Sequence, residues 1–327
     1  MNKLLYMKTQ KEYIDIINKA VAEIPYPESP RGLYEPIAYT LDCGGKRMRP
    51  MLLLASCEAC GGRIDDAVSQ ALGLEMFHNF TLLHDDVMDR ADMRRGKPTV
   101  HRRWNESTAI LSGDAMLTMA GQLMSVAPDD RLADVMALFN GTAMEIYEGQ
   151  QYDMDFESRQ DVTVAEYIEM IRLKTSVLLG CACEMGALMA GASDEVRKAF
   201  YRYGVALGLA FQLQDDWLDT YGDPAVFGKN IGGDILNDKK TYLLITAMNR
   251  ADDESRHRIE SLIGTRSDEK VAEVKSIYDR LGVADECRTL IESYLAETLR
   301  ELDSIDIPAD AKAFFRDYAE RSITRQS

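Results

Sequence analysis

Apolar residues recur at three- and four-residue spacing along most of the chain, the pattern of helices that bury one face. It is clearest in YIDIINKAVAEI (13–24), PMLLLASCEACGG (50–62), AVSQALGLEMFHNFTLLHDDVMD (67–89), DVMALFNGTAMEIYEGQQYD (134–153) and KAFYRYGVALGLAFQLQDDWLD (198–219). No stretch alternates apolar and polar residues between turn dipeptides, so no strand is predicted. Breaks fall at 24–32, 42–50, 60–63, 93–98, 127–130 and 221–234; the last is long and glycine-rich, the composition of an active-site loop. The most apolar run, SVLLGCACEMGALMAGA (176–192), is slightly short for a membrane span and carries Glu184 in its middle, so it predicts a buried core helix. From about residue 250 the helices are charged and amphipathic. With no long linker, the pattern predicts one all-α domain over 1–327.

Composition narrows the function. Hydrophobic content of 46% is ample for a large core, and a net charge of −16 (Asp+Glu 54, Lys+Arg 38) argues against non-specific nucleic-acid binding. The N-terminal MNKLLYMKTQKEY is too short in apolar residues for a signal core, so a cytoplasmic protein without a membrane span is expected. Of the six cysteines (Cys43, Cys57, Cys60, Cys181, Cys183 and Cys287), Cys57-x-x-Cys60 is the one metal-like pair. It lacks a second pair to complete a zinc site, so the cysteines read as small buried residues.

The conspicuous chemistry is a repeated Asp-Asp-x-x-Asp inside apolar segments: Asp85, Asp86 and Asp89, then Asp215, Asp216 and Asp219. On a helix, positions i and i+4 share a face, so Asp85 with Asp89, and Asp215 with Asp219, point together. Burying carboxylates without a partner is costly. Divalent cations resolve the cost, and Mg²⁺ takes one or two carboxylates and leaves its other positions to water and substrate phosphate. The plain alternative is a solvated acidic face, which two copies in apolar context disfavour.

Two basic clusters complement them. GGKRMRP (44–50) places Lys46, Arg47 and Arg49 on a glycine-led turn at a helix start, and MRRGKPT (93–99) places Arg94 and Arg95 after the first aspartates. Helix N-termini and arginine forks both suit phosphate, so two anionic groups are expected, one bridged by metal and one bound directly. Taken singly, His78 reads as a core histidine, His84 as a neighbour steering Asp85, and Phe80 as core packing. Lys174-Thr175 opens the apolar run, Gln212 shares a face with Asp215, and Lys229 and Lys239 flank the glycine-rich loop.

GGKRMRP, LLHDDVMDRADMRRGKPTVH, LSGDAML, Lys174-Thr175 and FQLQDDWLDTYGDPAVFGKNIGGDILNDKKTYL, in this order from about residue 40 to 245, resemble the trans-isoprenyl diphosphate synthases, or polyprenyl synthetases. The resemblance implies mostly antiparallel helices around a deep central cavity, usually in a homodimer. It implies condensation of an allylic diphosphate with isopentenyl diphosphate, with three Mg²⁺ ions between the aspartate motifs. Carried over by position, the six aspartates serve the metal, with Asp86, Asp216 and Asp219 in support. Arg94, Lys174 and Lys229 contact the allylic diphosphate. Lys46, Arg49, His78 and Arg95 form the isopentenyl diphosphate site, which overrides the core reading of His78. Thr175 and Gln212 line the cation, and Lys239 joins the substrate contacts.

Phe80 stands where this family plugs its elongation tunnel, with the small Thr81 beside it and Phe77 and Met76 one turn deeper as a second floor. The expected product is therefore short, C15 or C20. A terpene cyclase would lack the second DDxxD and have no use for GGKRMRP, and the same holds for a head-to-head synthase. A regulatory subunit would tolerate lost aspartates or basic residues, and none is missing.

Overall fold

The computed structural model describes residues 7–223 and 231–324. It is all-α, as the periodicity predicts. Among the described residues the one pair of strands is a two-residue hairpin, Met93–Arg94 against Lys97–Pro98, at a predicted break. No described helix is long and apolar enough to cross a membrane. Cα packing divides the chain into two compact units, Met1–Gly141 with Cys181–Phe200, and Thr142–Gly180 with Tyr201–Ser327.

The first unit contains α1 (Gln10–Ala22), α2 (Arg31–Asp42), α3 (Met48–Ala59), α4 (Val68–Met88), α5 (Val100–Arg103) and α6 (Glu106–Met124). Thr9 and Glu12 close a capping box at the start of α1, satisfying end N–H groups that have no partner within the helix. α3 is buried on nearly every side, and Arg49 alone among its residues is not buried. α4 packs along α6, where Gly113 lets the His84 ring lie against the α6 backbone. A Cβ at Gly113 would stand 2.1 Å from His84 Nε2, and that nitrogen lies 3.0 Å from the Ile110 carbonyl. This accounts for the glycine of LSGDAML and places His84 in packing. The run at 176–192 is a buried helix, as expected: α9 (Val177–Met189) is enclosed from Val177 through Cys183, and Glu184 lies 3.7 Å from Arg197.

The second unit contains α8 (Val164–Ile171), a π-helical turn (Arg172–Ser176), the C-terminal part of α10 (Asp194–Tyr221) and the helices from Gly233 to Thr324. Thr163, Thr241, Asp252 and Ser267 each cap a helix start through the side chain. Tyr203 joins α10 to the helix Ala309–Thr324, donating to the Phe315 carbonyl at 2.9 Å.

Candidate active site

In the first unit α4 carries most of the predicted residues. Its last turns hold Asp85 and Asp86, and Asp89 closes the helix, donating its N–H to the Asp85 carbonyl at 2.8 Å. Arg90 follows in the left-handed region (φ 52°), and the Arg90 and Ala91 N–H groups bond back to Val87 and Asp86. This Schellman-type stop turns the chain sharply. The hairpin beyond it returns Arg94 to Asp86, with Nε 2.7 Å from Oδ1. Asp86 is buried, and burial pushes its pKa up against the opposing pull of Arg94. Asp85 is half-buried and Asp89 exposed.

The two basic clusters meet. Gly45 (φ 144°) lets the Arg95 guanidinium approach, since a Cβ there would lie 2.9 Å from Arg95 Nη2, and Arg95 donates to the Gly44 carbonyl. Arg49 Nη1 lies 3.4 Å from His78 Nε2; because arginine only donates, that nitrogen is the acceptor. Burial, then Arg49, Arg95, Arg94 and Arg47, hold the His78 pKa well below its ordinary value. His78 is thus a neutral ring among guanidinium groups, a place that favours an anion. Lys46 is exposed on the same turn.

Arg47 differs from its neighbours Lys46 and Arg49 in GGKRMRP. It is buried, caps α3 at φ 48°, and spends its guanidinium on Glu75, Asn18 and the Leu41 carbonyl, while Asn79 also binds Glu75. Sequence gave no sign of this because the counter-ion lies on another helix.

The chain-length candidates sit deeper on α4. Phe80 is 6% exposed and packs on Phe77 (ring centroids 5.6 Å) and His84 (4.8 Å). Phe77 meets Phe139 edge-on at 5.4 Å, Met76 is buried, and Thr81 Oγ1 donates to the His78 carbonyl at 2.8 Å.

In the second unit Lys174-Thr175 lies on the π-helical turn, in which the Val177 N–H bonds to the Arg172 carbonyl five residues back. Glycines on two helices let it fit. A Cβ at Gly149, on α7 (Leu132–Ser158), would fall 2.4 Å from Lys174 N, and one at Gly208 would fall 2.6 Å from Ser176 Cα. Such turns recur at functional sites because they re-aim side chains within a helix. Here Lys174 Nζ reaches Asp153 at 2.6 Å, and Thr175 Oγ1 donates to Gln212 Oε1 at 3.0 Å. Gln212 Nε2 donates to Asp216 Oδ1 at 2.9 Å, and the Tyr167 hydroxyl donates to Asp216 Oδ2.

Asp219 accepts the Asp234 N–H at 2.8 Å on Oδ2, and the Gly232 N–H on its carbonyl. Lys239 Nζ lies 3.8 Å from Asp234. Asp215 is half-buried beside this group, and Lys229 lies outside the described residues. Asp153, Asp234 and Tyr167 were missed from sequence. Neither acid stands in a local motif; Tyr167 stands two turns before Lys174.

The donor set suits a hard cation. Burial, then the charge of Asp234, pushes the Asp216 pKa up, and burial, then Asp219, pushes up that of Asp234. Carboxylates so raised are short of positive charge, which a divalent ion supplies. Among the described residues no three His, Cys, Asp or Glu side chains stand ready as a metal group. Magnesium suits carboxylate donors because it is a hard cation that keeps its waters and takes few protein ligands.

A family model, Polyprenyl synthetase, matches residues 30–281. The chain belongs to the polyprenyl synthetase family. This polyprenyl synthetase is 37% identical to the geranylgeranyl diphosphate synthase of Methanosarcina mazei, over 98% of this chain and 97% of that one. It resembles the crystal structure of geranylgeranyl pyrophosphate synthetase from Pyrococcus horikoshii with a TM-score of 0.91 at 33% identity, over 97% of each chain. It resembles geranylgeranyl pyrophosphate synthase from Corynebacterium glutamicum, complexed with isoprenyl diphosphate and magnesium, with a TM-score of 0.83 at 30% identity, over 97% and 96%. The protein is a prenyltransferase, joining an allylic diphosphate to isopentenyl diphosphate head to tail to make a short-chain prenyl diphosphate. The family's chemistry is magnesium-dependent.

Proposed function

We propose that this polyprenyl synthetase makes the C20 product, geranylgeranyl diphosphate. The observation that carries the length is the Phe80–Phe77 stack on α4, backed by Phe139, which supplies a bulky floor below the first aspartate motif. The names of the three relatives point the same way.

Asp85, Asp89 and Asp215 would hold magnesium, with Asp86, Asp216 and Asp219 in support, the first two of these from buried positions. Bound magnesium neutralises charge that develops on the departing pyrophosphate. Arg94, Lys174, Lys229 and Lys239 hold the allylic diphosphate, and Lys174 exchanges Asp153 for a phosphate oxygen. Lys46, Arg49, His78 and Arg95 hold isopentenyl diphosphate, with neutral His78 donating from Nδ1. Thr175 and Gln212 face the allylic cation with oxygen lone pairs, and exclusion of water protects that cation. The pyrophosphate left beside the arginines takes the proton lost from the new chain.

The enzyme acts as a homodimer in this reading, since Ile110 and Leu111 on α6 are 48% and 60% exposed, an apolar pair that a second copy would cover. The test is product analysis with Asp89→Asn and Asp215→Asn. Each should lose roughly a thousandfold in kcat, as expected when electrostatic stabilisation of a leaving group is removed. Activity within threefold of wild type in either would take that aspartate out of its role. A C15 or C25 wild-type product would overturn the assigned length.

A further inference from the structure

We infer that Tyr167 is a positioning residue that sets the polarity of the Thr175 hydroxyl through Asp216 and Gln212. The inference rests on the proposed role of Thr175 at the allylic cation. Tyr167 is 1% exposed on α8, and its hydroxyl donates to Asp216 Oδ2. Gln212 Nε2 donates to the other oxygen of the same carboxylate at 2.9 Å. The two oxygens are thus each given a donor, and the carboxylate faces the amide as an acceptor.

That fixes which end of the Gln212 amide points where. An amide presents two N–H donors on one side and a carbonyl acceptor on the other. With its nitrogen turned to Asp216, its oxygen is turned to Thr175, which donates at 3.0 Å. A threonine hydroxyl has one hydrogen. Once that hydrogen is committed to Gln212, what remains for a ligand is the lone-pair side of the oxygen, the side that stabilises positive charge. A Gln212 amide turned the other way would donate to Thr175 and leave the threonine hydrogen facing the cation, the wrong sign.

The Tyr167 hydroxyl reaches Thr175 through Asp216 and Gln212. It holds the far oxygen of Asp216, so the carboxylate cannot rotate away from Gln212. The π-helical turn keeps Thr175 in reach of the amide, wedged as it is against Gly208.

The test compares wild type with Tyr167→Phe, which keeps the buried ring and removes the hydroxyl. Calorimetry measures binding of two probes: an aza-analogue of geranyl diphosphate with an ammonium at the cationic carbon, and geranyl thiolodiphosphate, which cannot ionise. Tyr167→Phe should weaken the ammonium probe about tenfold and leave the thiolodiphosphate within twofold. In turnover it should lower kcat about tenfold with both KM values unchanged. In a Thr175→Val background, where the hydroxyl it acts through is gone, adding Tyr167→Phe should cost less than twofold more, because contacts in one network do not add. Equal loss of both probes, no loss of either, or a full tenfold loss in the Thr175→Val background would overturn the inference. A wild type that binds both probes but condenses neither geranyl nor farnesyl diphosphate with isopentenyl diphosphate would instead overturn the proposed function, and the assigned purpose of the relay with it.

Discussion

Replacing Phe80 by alanine removes an aromatic ring that is 6% exposed and rests between Phe77 at 5.6 Å and His84 at 4.8 Å. Two magnitudes follow. Phenylalanine-to-alanine changes in a packed core cost about 3–5 kcal/mol. The lower end is expected here if, as proposed, the elongating chain takes up the space the ring leaves. The geometric effect concerns the product. Met76 and Phe77 stand about one helical turn deeper on α4, and a turn rises about 5.4 Å. One isoprene unit advances a chain by four carbons, roughly 5 Å at about 1.5 Å per bond. Removing the Phe80 ring therefore opens room for about one more unit, and the expected product shifts from C20 to C25. The assay is labelled isopentenyl diphosphate with farnesyl diphosphate and magnesium, read as a ladder after removal of the diphosphate, beside a thermal melt to show that the variant is folded. A folded Phe80→Ala enzyme with an unchanged ladder refutes the floor. A ladder running several units further would show that Met76 and Phe77 do not form a second one.

Three more outcomes separate roles that the sequence made look alike. Arg47→Ala should cost about 3–5 kcal/mol of stability, because buried Glu75 loses its counter-ion, whereas Arg49→Ala should leave the melting temperature nearly unchanged and raise the KM for isopentenyl diphosphate. Gly208→Ala should destabilise by about 1–3 kcal/mol and lower kcat as well, since its new Cβ meets the Ser176 backbone at 2.6 Å and moves the turn that carries Thr175; a stable, fully active variant would remove the wedge. The depressed His78 pKa means that the unfolded chain binds a proton there below about pH 6.5 while the folded one does not. Its stability is therefore complete above that pH and is lost as pH falls below it, by at most about 1.4 kcal/mol per pH unit. Ligand-free melts from pH 8 to 5 should fall more steeply for wild type than for His78→Gln, and parallel curves would contradict the assignment.

Local pattern made the helices and both aspartate motifs legible, because periodicity and i, i+4 spacing are properties of neighbouring residues. Apolar context alone placed 176–192 in the core. What stayed hidden was set by distant partners. Arg47 reads like Arg49 until Glu75, Asn18 and Leu41 enclose it. Lys174-Thr175 reads as an ordinary helix start, and its π turn appears once Gly149 and Gly208 press on it from two other helices. His78 reads as core from its own surroundings, and only the meeting of two basic clusters, far apart in sequence, sets it among guanidinium groups. Asp153 and Asp234 carry no local motif that distinguishes them from the many other acidic residues of a chain with net charge −16.

The most direct test of the account is incorporation of isopentenyl diphosphate. Purified protein and labelled isopentenyl diphosphate are incubated with dimethylallyl, geranyl or farnesyl diphosphate, with magnesium or with chelator. The account predicts label in a prenyl diphosphate that accumulates at C20, and none when the metal is chelated. A folded enzyme that incorporates no label from any starter, or that works equally well without divalent metal, would contradict it.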